Sequence, residues 1–151
     1  MEGFQLPSGK MLVLFFGTAS HPWTVNELTP KMVKIYNNLI QDRDDVEFVS
    51  VCRDSTQKQV TAFTCKHPWV VLAADNPLRQ SLIEQCEKVP TSFNMPRVVV
   101  INKGDRQIIN MDATEAIFRT QDYSGKDFPW KATAAQNACA AATVCVFCSI
   151  L

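Results

Sequence analysis

The residues best suited to chemistry are six cysteines and two histidines, spread unevenly along the 151 residues. Thiols at 52, 65 and 86 fall within the body of the chain, and those at 139, 145 and 148 crowd into its end. A thiolate acts as a nucleophile when a helix N-terminus or a cation lowers its pKa. The segment Gly17-Thr-Ala-Ser-His-Pro-Trp-Thr24 is where such a group belongs, because it leaves an apolar strand and runs straight into a helix start. Unpaired N–H groups and the helix dipole there favour a thiolate or a bound anion. Yet the segment carries no cysteine. Cys52 ends the next apolar strand and is the one other core thiol expected near it. With His21 it would form a Cys–His pair; the plainer reading is a small buried side chain beside a water-exposed histidine. Cys65 and Cys86 fall late in helices and read as filler, and His67, before Pro68, as structural. No pair of Cys-x-x-Cys motifs and no His-x-x-x-His spacing offers a metal site, so neither metal nor cofactor is expected. Trp23, at the loop apex, suits a partner-binding hot spot or a cover folded over the sheet edge.

The elements that must position this loop follow from periodicity. The runs MLVLFF at 11–16, VEFVSVC at 46–52 and RVVVIN at 97–102 have the length and continuity of strands buried on both faces. QIINM at 107–111 follows Lys103-Gly104-Asp105, a hairpin turn signal. Val25, Leu28, Met32, Ile35 and Leu39 repeat at helical spacing, predicting a helix over 24–41. Thr24 and Glu27 form a capping box at its start, and Pro30 kinks it. Further helices are expected over 55–66, over 76–88 with Asn76 as N-cap and Pro77 next, and from Asp112 with Glu115. The order β-α-β-α-α-β-β-α describes an α/β domain with a mixed sheet, its first strands parallel and its last pair antiparallel. Ligands of such sheets collect beyond the C-terminal ends of the parallel strands. If the 97–102 strand runs antiparallel beside the first, Met95-Pro96 lies next to the loop.

Lys+Arg and Asp+Glu are both 15, so no basic stripe marks a nucleic-acid binder. The N-terminus is not expected to be a secretory signal, and the thiols are expected reduced in the cytoplasm. One boundary is clear: a domain over 1–131, then an uncharged, alanine-rich tail over 132–151. The tail ends Cys148-Ser-Ile-Leu151, a CaaX pattern whose final Leu favours geranylgeranyl. One prenyl chain holds a membrane weakly, and Cys139 and Cys145 are candidate palmitoylation sites that would supply a second anchor. A tail-anchor helix and a tail whose cysteines do nothing are the rival readings. The expected place is the cytosolic face of a membrane.

Over roughly residues 4–130 the chain resembles tryparedoxins and the nucleoredoxin-like branch of the thioredoxin superfamily. The matching stretches are Gly9-Lys10, Ala19-Ser20, Thr29-Pro30, Val49-Ser-Val51, His67-Pro-Trp69, Met95-Pro96 and Gly125-Lys-Asp-Phe-Pro-Trp130. The resemblance implies a thioredoxin-like fold with Pro96 as a cis-proline beside the active loop. Between Ala19-Ser20 and Thr29-Pro30 that family carries Trp-Cys-Pro-Pro-Cys-Arg-Gly-Phe. Here the same length reads His21-Pro-Trp-Thr-Val-Asn-Glu-Leu28, with Pro22 and Val25 in place of the two cysteines. Disulfide exchange needs an attacking and a resolving sulfur. Neither is present, so the expectation is a redox-inactive module that binds a protein partner through His21, Trp23, Met95 and Pro96. The alternative is an oxidoreductase working with the single thiol of Cys52.

Overall fold

The computed structural model describes residues 10–88, 96–105 and 107–132. Five strands form one mixed sheet in the order β3-β2-β1-β4-β5. They are β1 (Met11–Gly17), β2 (Val46–Cys52), β3 (Val70–Val71), β4 (Arg97–Asn102) and β5 (Gln107–Asn110). β1 is the middle strand, parallel to β2 from Met11↔Val46 to Gly17↔Cys52 and antiparallel to β4 from Met11↔Asn102 to Phe16↔Arg97. Every residue of β1 is buried, as a continuous apolar run demands of a strand covered on both faces. The 97–102 and 107–111 runs do pair as an antiparallel hairpin.

Two apolar layers enclose the sheet. On one face Val13, Phe15, Phe48 and Val98 meet α1 (Thr29–Asp42), α2 (Gln57–Thr64) and α4 (Ala113–Thr120). On the other Leu14, Phe16, Val51 and Val99 meet α3 (Pro77–Glu87) through Leu82, Ile83 and Cys86. Each fully buried Phe or Leu contributes about 1.5–3 kcal/mol of transfer free energy. β1 alone places five such side chains, Leu12, Val13, Leu14, Phe15 and Phe16, at 0% exposure, so it organises both layers.

The helix starts show where local signals sufficed. Asn76 caps α3 by accepting from Leu78 N–H, with Pro77 following, and Asp112 caps α4 by accepting from Thr114 N–H. Thr56 caps α2. The expected Thr24/Glu27 box is overturned. The chain is already helical at Pro22 and Trp23, Val25 N–H donates to the His21 carbonyl (3.3 Å), and the helix therefore opens one residue after His21. Pro22 takes the first helical position, where a missing N–H costs nothing.

At Pro30, where a kink is expected, the helix widens. Thr24–Leu28 form a π-turn in which Thr29 N–H reaches back five residues to the Thr24 carbonyl. Proline has no N–H to offer and its ring crowds the carbonyl four residues back; a wider turn relieves both. A strand absent from the sequence reading also appears. β3 pairs parallel with β2 through Val49↔Val70 and Ser50↔Val71, between α2 and α3. Two residues are too few to show a period. Among the described residues no helix is long and apolar enough to cross a membrane. The lipid-bearing tail expected at the chain's end falls outside the described residues, beyond Ala132, whose N–H donates to the Ile109 carbonyl of β5.

Candidate functional site

The loop between β1 and the π-turn lies at the C-terminal end of the parallel strands, as the topology requires. Gly17 starts it. A Cβ on Gly17 would stand 2.5 Å from Cζ of Phe63, so the buried α2 ring rests against bare backbone there. The next residues are tied to the end of β2. Thr18 Oγ1 and Ala19 N–H each donate to the Asp54 carboxylate at 2.8 Å, and Arg53 N–H donates to the Gly17 carbonyl at 2.8 Å. Partial burial works to raise the Asp54 pKa, but the donors Ala19, Thr18 and Cys52 outweigh it and hold the carboxyl below its ordinary value. Behind it the Arg79 guanidinium caps the strand end, donating to the carbonyls of Cys52 (2.9 Å), Asp54 (3.1 Å) and Ala74 (3.0 Å).

Cys52 is beside the loop, paired in register with Gly17, but its side chain faces the core at 0% exposure. Its thiol donates to Asp54 Oδ2 at 3.3 Å. Burial, reinforced by the neighbouring carboxylate, pushes the thiol up to about 12. His21 is engaged elsewhere, with Nδ1 2.7 Å from Thr24 Oγ1, so the two do not form a Cys–His pair. Cys86 is buried in the second layer, its thiol pushed up to about 11 by burial, and Cys65 is exposed at the end of α2. Among the described residues no group of acidic, His and Cys side chains could hold a metal.

Pro22 is exposed on the first helical position and Val25 is half-buried one turn on, packed against the core. Trp23 combines both readings the sequence left open. Its ring lies 4.9 Å from that of Phe118 in α4 and 6.2 Å from His21, yet 38% of the residue remains exposed. Lys31 continues the patch, its Nζ 5.3 Å from the Phe118 ring centre and 4.9 Å from that of Tyr123, close enough for cation–π attraction. Phe118 had no signal in the sequence, being nearly a hundred positions from Trp23. Asp54 had a weak one, an acidic residue just past a strand that ends beside the loop.

Pro96 is buried and leads β4, and the Phe16↔Arg97 pairing places it beside Gly17 at the loop. The Met95–Pro96 peptide bond, with Met95, lies outside the described residues, as do Cys139, Cys145 and Cys148.

A family model described as thioredoxin-like matches residues 9–108. The chain belongs to the thioredoxin-like family. No curated protein sequence matches it. Solved structures extend the likeness to the tryparedoxin fold. Tryparedoxin I from Leishmania major superposes with a TM-score of 0.68 at 21% identity, over 83% of this chain and 83% of that one. Tryparedoxin II from C. fasciculata gives 0.69 at 20%, over 84% and 80%. Tryparedoxin from Trypanosoma brucei gives 0.67 at 23%, over 82% and 81%. At these identities the likeness is one of fold, and this thioredoxin-like protein keeps the frame with proline and valine at the head of the helix.

Proposed function

We propose that this thioredoxin-like protein is a redox-inactive, tryparedoxin-like binding module, tethered to the cytosolic face of a membrane by C-terminal lipidation. The observation that carries the first part is the content of the helix start. Pro22 and Val25 occupy the positions of the cysteine pair, and the thiol nearest the loop, Cys52, is buried and donates its hydrogen to Asp54. A protonated, enclosed thiol neither attacks nor resolves a disulfide. The single-thiol enzyme would need Cys52 exposed and ionised, and the geometry opposes both.

What the loop offers instead is a surface. Trp23 is half-open over Phe118, with His21 on one side and Lys31 beyond. A rigid aromatic anchored from below is the usual core of a protein-binding hot spot. Pro96 flanks the same loop through the β1–β4 register. The tether rests on Cys148-Ser-Ile-Leu151, with Cys139 and Cys145 as sites for a second lipid.

The test is reduction of insulin disulfides by the full chain with a dithiol donor. No turnover above the donor alone is expected. Pro22→Cys with Val25→Cys should recover measurable turnover, because the helix start that lowers a thiol pKa is retained. Turnover by the unaltered protein would overturn the proposal.

A further inference from the structure

The two histidines of this chain stand at opposite ends of one hydrogen-bonded path through the π-turn. His67 is buried between Phe15 and Phe63, with ring centres 5.4 Å and 4.9 Å away, and Trp69 stacks at 5.0 Å. Its polar partners are Ser50 Oγ, 2.6 Å from Nδ1, and Thr29 Oγ1, 3.5 Å from Nε2.

The direction of each hydrogen follows from donor inventory. The Trp69 indole can only donate, and its Nε1 lies 2.6 Å from Ser50 Oγ. The Ser50 oxygen therefore accepts there. The Thr29 hydroxyl gives its hydrogen to the Thr24 carbonyl, so its oxygen can only accept from His67 Nε2–H, and the Ser50 hydrogen points to the bare Nδ1. That leaves neutral His67 carrying its proton on Nε2, aimed at Thr29 Oγ1. The Thr29 hydroxyl in turn donates to the Thr24 carbonyl at 3.0 Å. The same carbonyl takes the Thr29 N–H, so Thr29 grips the π-turn twice. Thr24 Oγ1 then meets His21 Nδ1 at 2.7 Å, one residue from Pro22 and two from Trp23.

We infer that His67 is a positioning residue for the His21–Trp23 face. Held as its Nε2–H tautomer between Ser50 and Thr29, it orients the Thr29 hydroxyl onto the Thr24 carbonyl and so sets the π-turn from which the face projects. Pro30 makes this help necessary, since it removes the donor that would otherwise continue the helix across this turn. The path gives the core a say in the shape of a surface loop that holds no disulfide to stiffen it. That the face binds a partner rests on the function proposed above; the path itself is a matter of conformation and is tested without a partner.

The experiment is nuclear magnetic resonance on the full chain near neutral pH. In the unaltered protein, imidazole nitrogen shifts should report His67 protonated at Nε2 and unprotonated at Nδ1. Thr29→Val, which removes the hydroxyl and keeps the shape, should shift the His21 ring and Trp23 indole signals. It should also speed exchange of the Thr29 amide about five-fold or more, the scale of one modest hydrogen bond. Thr29→Ser should restore both. An Nδ1–H tautomer would overturn the inference even if the valine variant fails to fold. So would a valine variant in which changes stop at Thr29 and His67 while His21 and Trp23 stay put.

Discussion

The Cys52 thiol donates to the Asp54 carboxylate, and that same carboxylate accepts from Thr18 and Ala19 of the loop. One anion thus acts twice: it ties the loop to the end of β2, and it adds to the burial that holds the nearest sulfur protonated.

Alkylation should report this directly. With its pKa pushed up to about 12, Cys52 would be thiolate in only about one molecule in ten thousand at pH 8. Iodoacetamide followed by peptide mapping should mark exposed Cys65 quickly and leave Cys52 and Cys86 unmodified until the chain unfolds. Labelling of Cys52 at the rate of Cys65 in folded protein would contradict the buried geometry.

Stability should fall on mild acidification because of His67. Burial lowers its pKa from 6.5 to about 4. Above 6.5 neither the folded nor the unfolded chain holds the proton, so His67 takes nothing from stability. Between 6.5 and 4 the unfolded chain takes up the proton and the folded chain does not, so stability drops as pH falls, and the loss levels off below 4. The full loss is roughly 3 kcal/mol. His67→Gln should flatten the slope of denaturation midpoint against pH in this window; an unchanged slope would assign the dependence elsewhere.

Gly17 should tolerate no side chain. A methyl there meets Phe63 Cζ at 2.5 Å and Cε2 at 2.7 Å inside the packed layer. Gly17→Ala should cost about 1–3 kcal/mol, the range for overpacking. Phe63→Leu in the alanine background should cost less than it does alone, the signature of a shared contact in a double-mutant cycle. Additive losses would mean the strand moves rather than the ring.

Membrane attachment should depend on Cys148. Cys148→Ser should move the protein to the soluble fraction of cells. Cys139→Ser with Cys145→Ser should leave it partitioning and exchanging rapidly, since one prenyl chain gives only marginal binding. Mass spectrometry should find Cys148 as the modified terminal residue, the last three residues trimmed. An unmodified Leu151 on protein recovered from membranes would sink the lipid proposal.

Much of the frame was legible because it is written locally. The β1 run, the Asn76-Pro77 and Asp112 caps and the Lys103–Asp105 turn each depend on neighbours in sequence. What was not legible depends on register. Trp23 meets Phe118 only because α1 and α4 share a face of the sheet, and β3 exists only because β2 offers it an edge. The missing cysteines at 22 and 25 could be read against a family pattern, whereas the Asp54 carboxylate closing the loop could not. The misplaced helix start is instructive: Thr24 and Glu27 have the spacing of a capping box, but Pro22 is the better first residue and the chain turned earlier.

Asp122 gathers the last stretch of the domain onto a single side chain. Its carboxylate accepts from Ser124 Oγ (3.2 Å), Lys126 N–H (2.9 Å), Asp127 N–H (2.8 Å) and the Trp130 indole (3.0 Å). Four donors within seven residues share this acceptor, so it couples the turn at 124–127 to the buried Trp130 ring. The Trp130 carbonyl is clasped by Asn110, and Ala132 N–H donates to the Ile109 carbonyl, so the same segment lies along β5, the strand at the sheet's edge. A pull from beyond residue 132 therefore meets the Ala132–Ile109 and Trp130–Asn110 bonds first, and the Asp122 carboxylate is the knot behind them that ties the sheet to the chain's end.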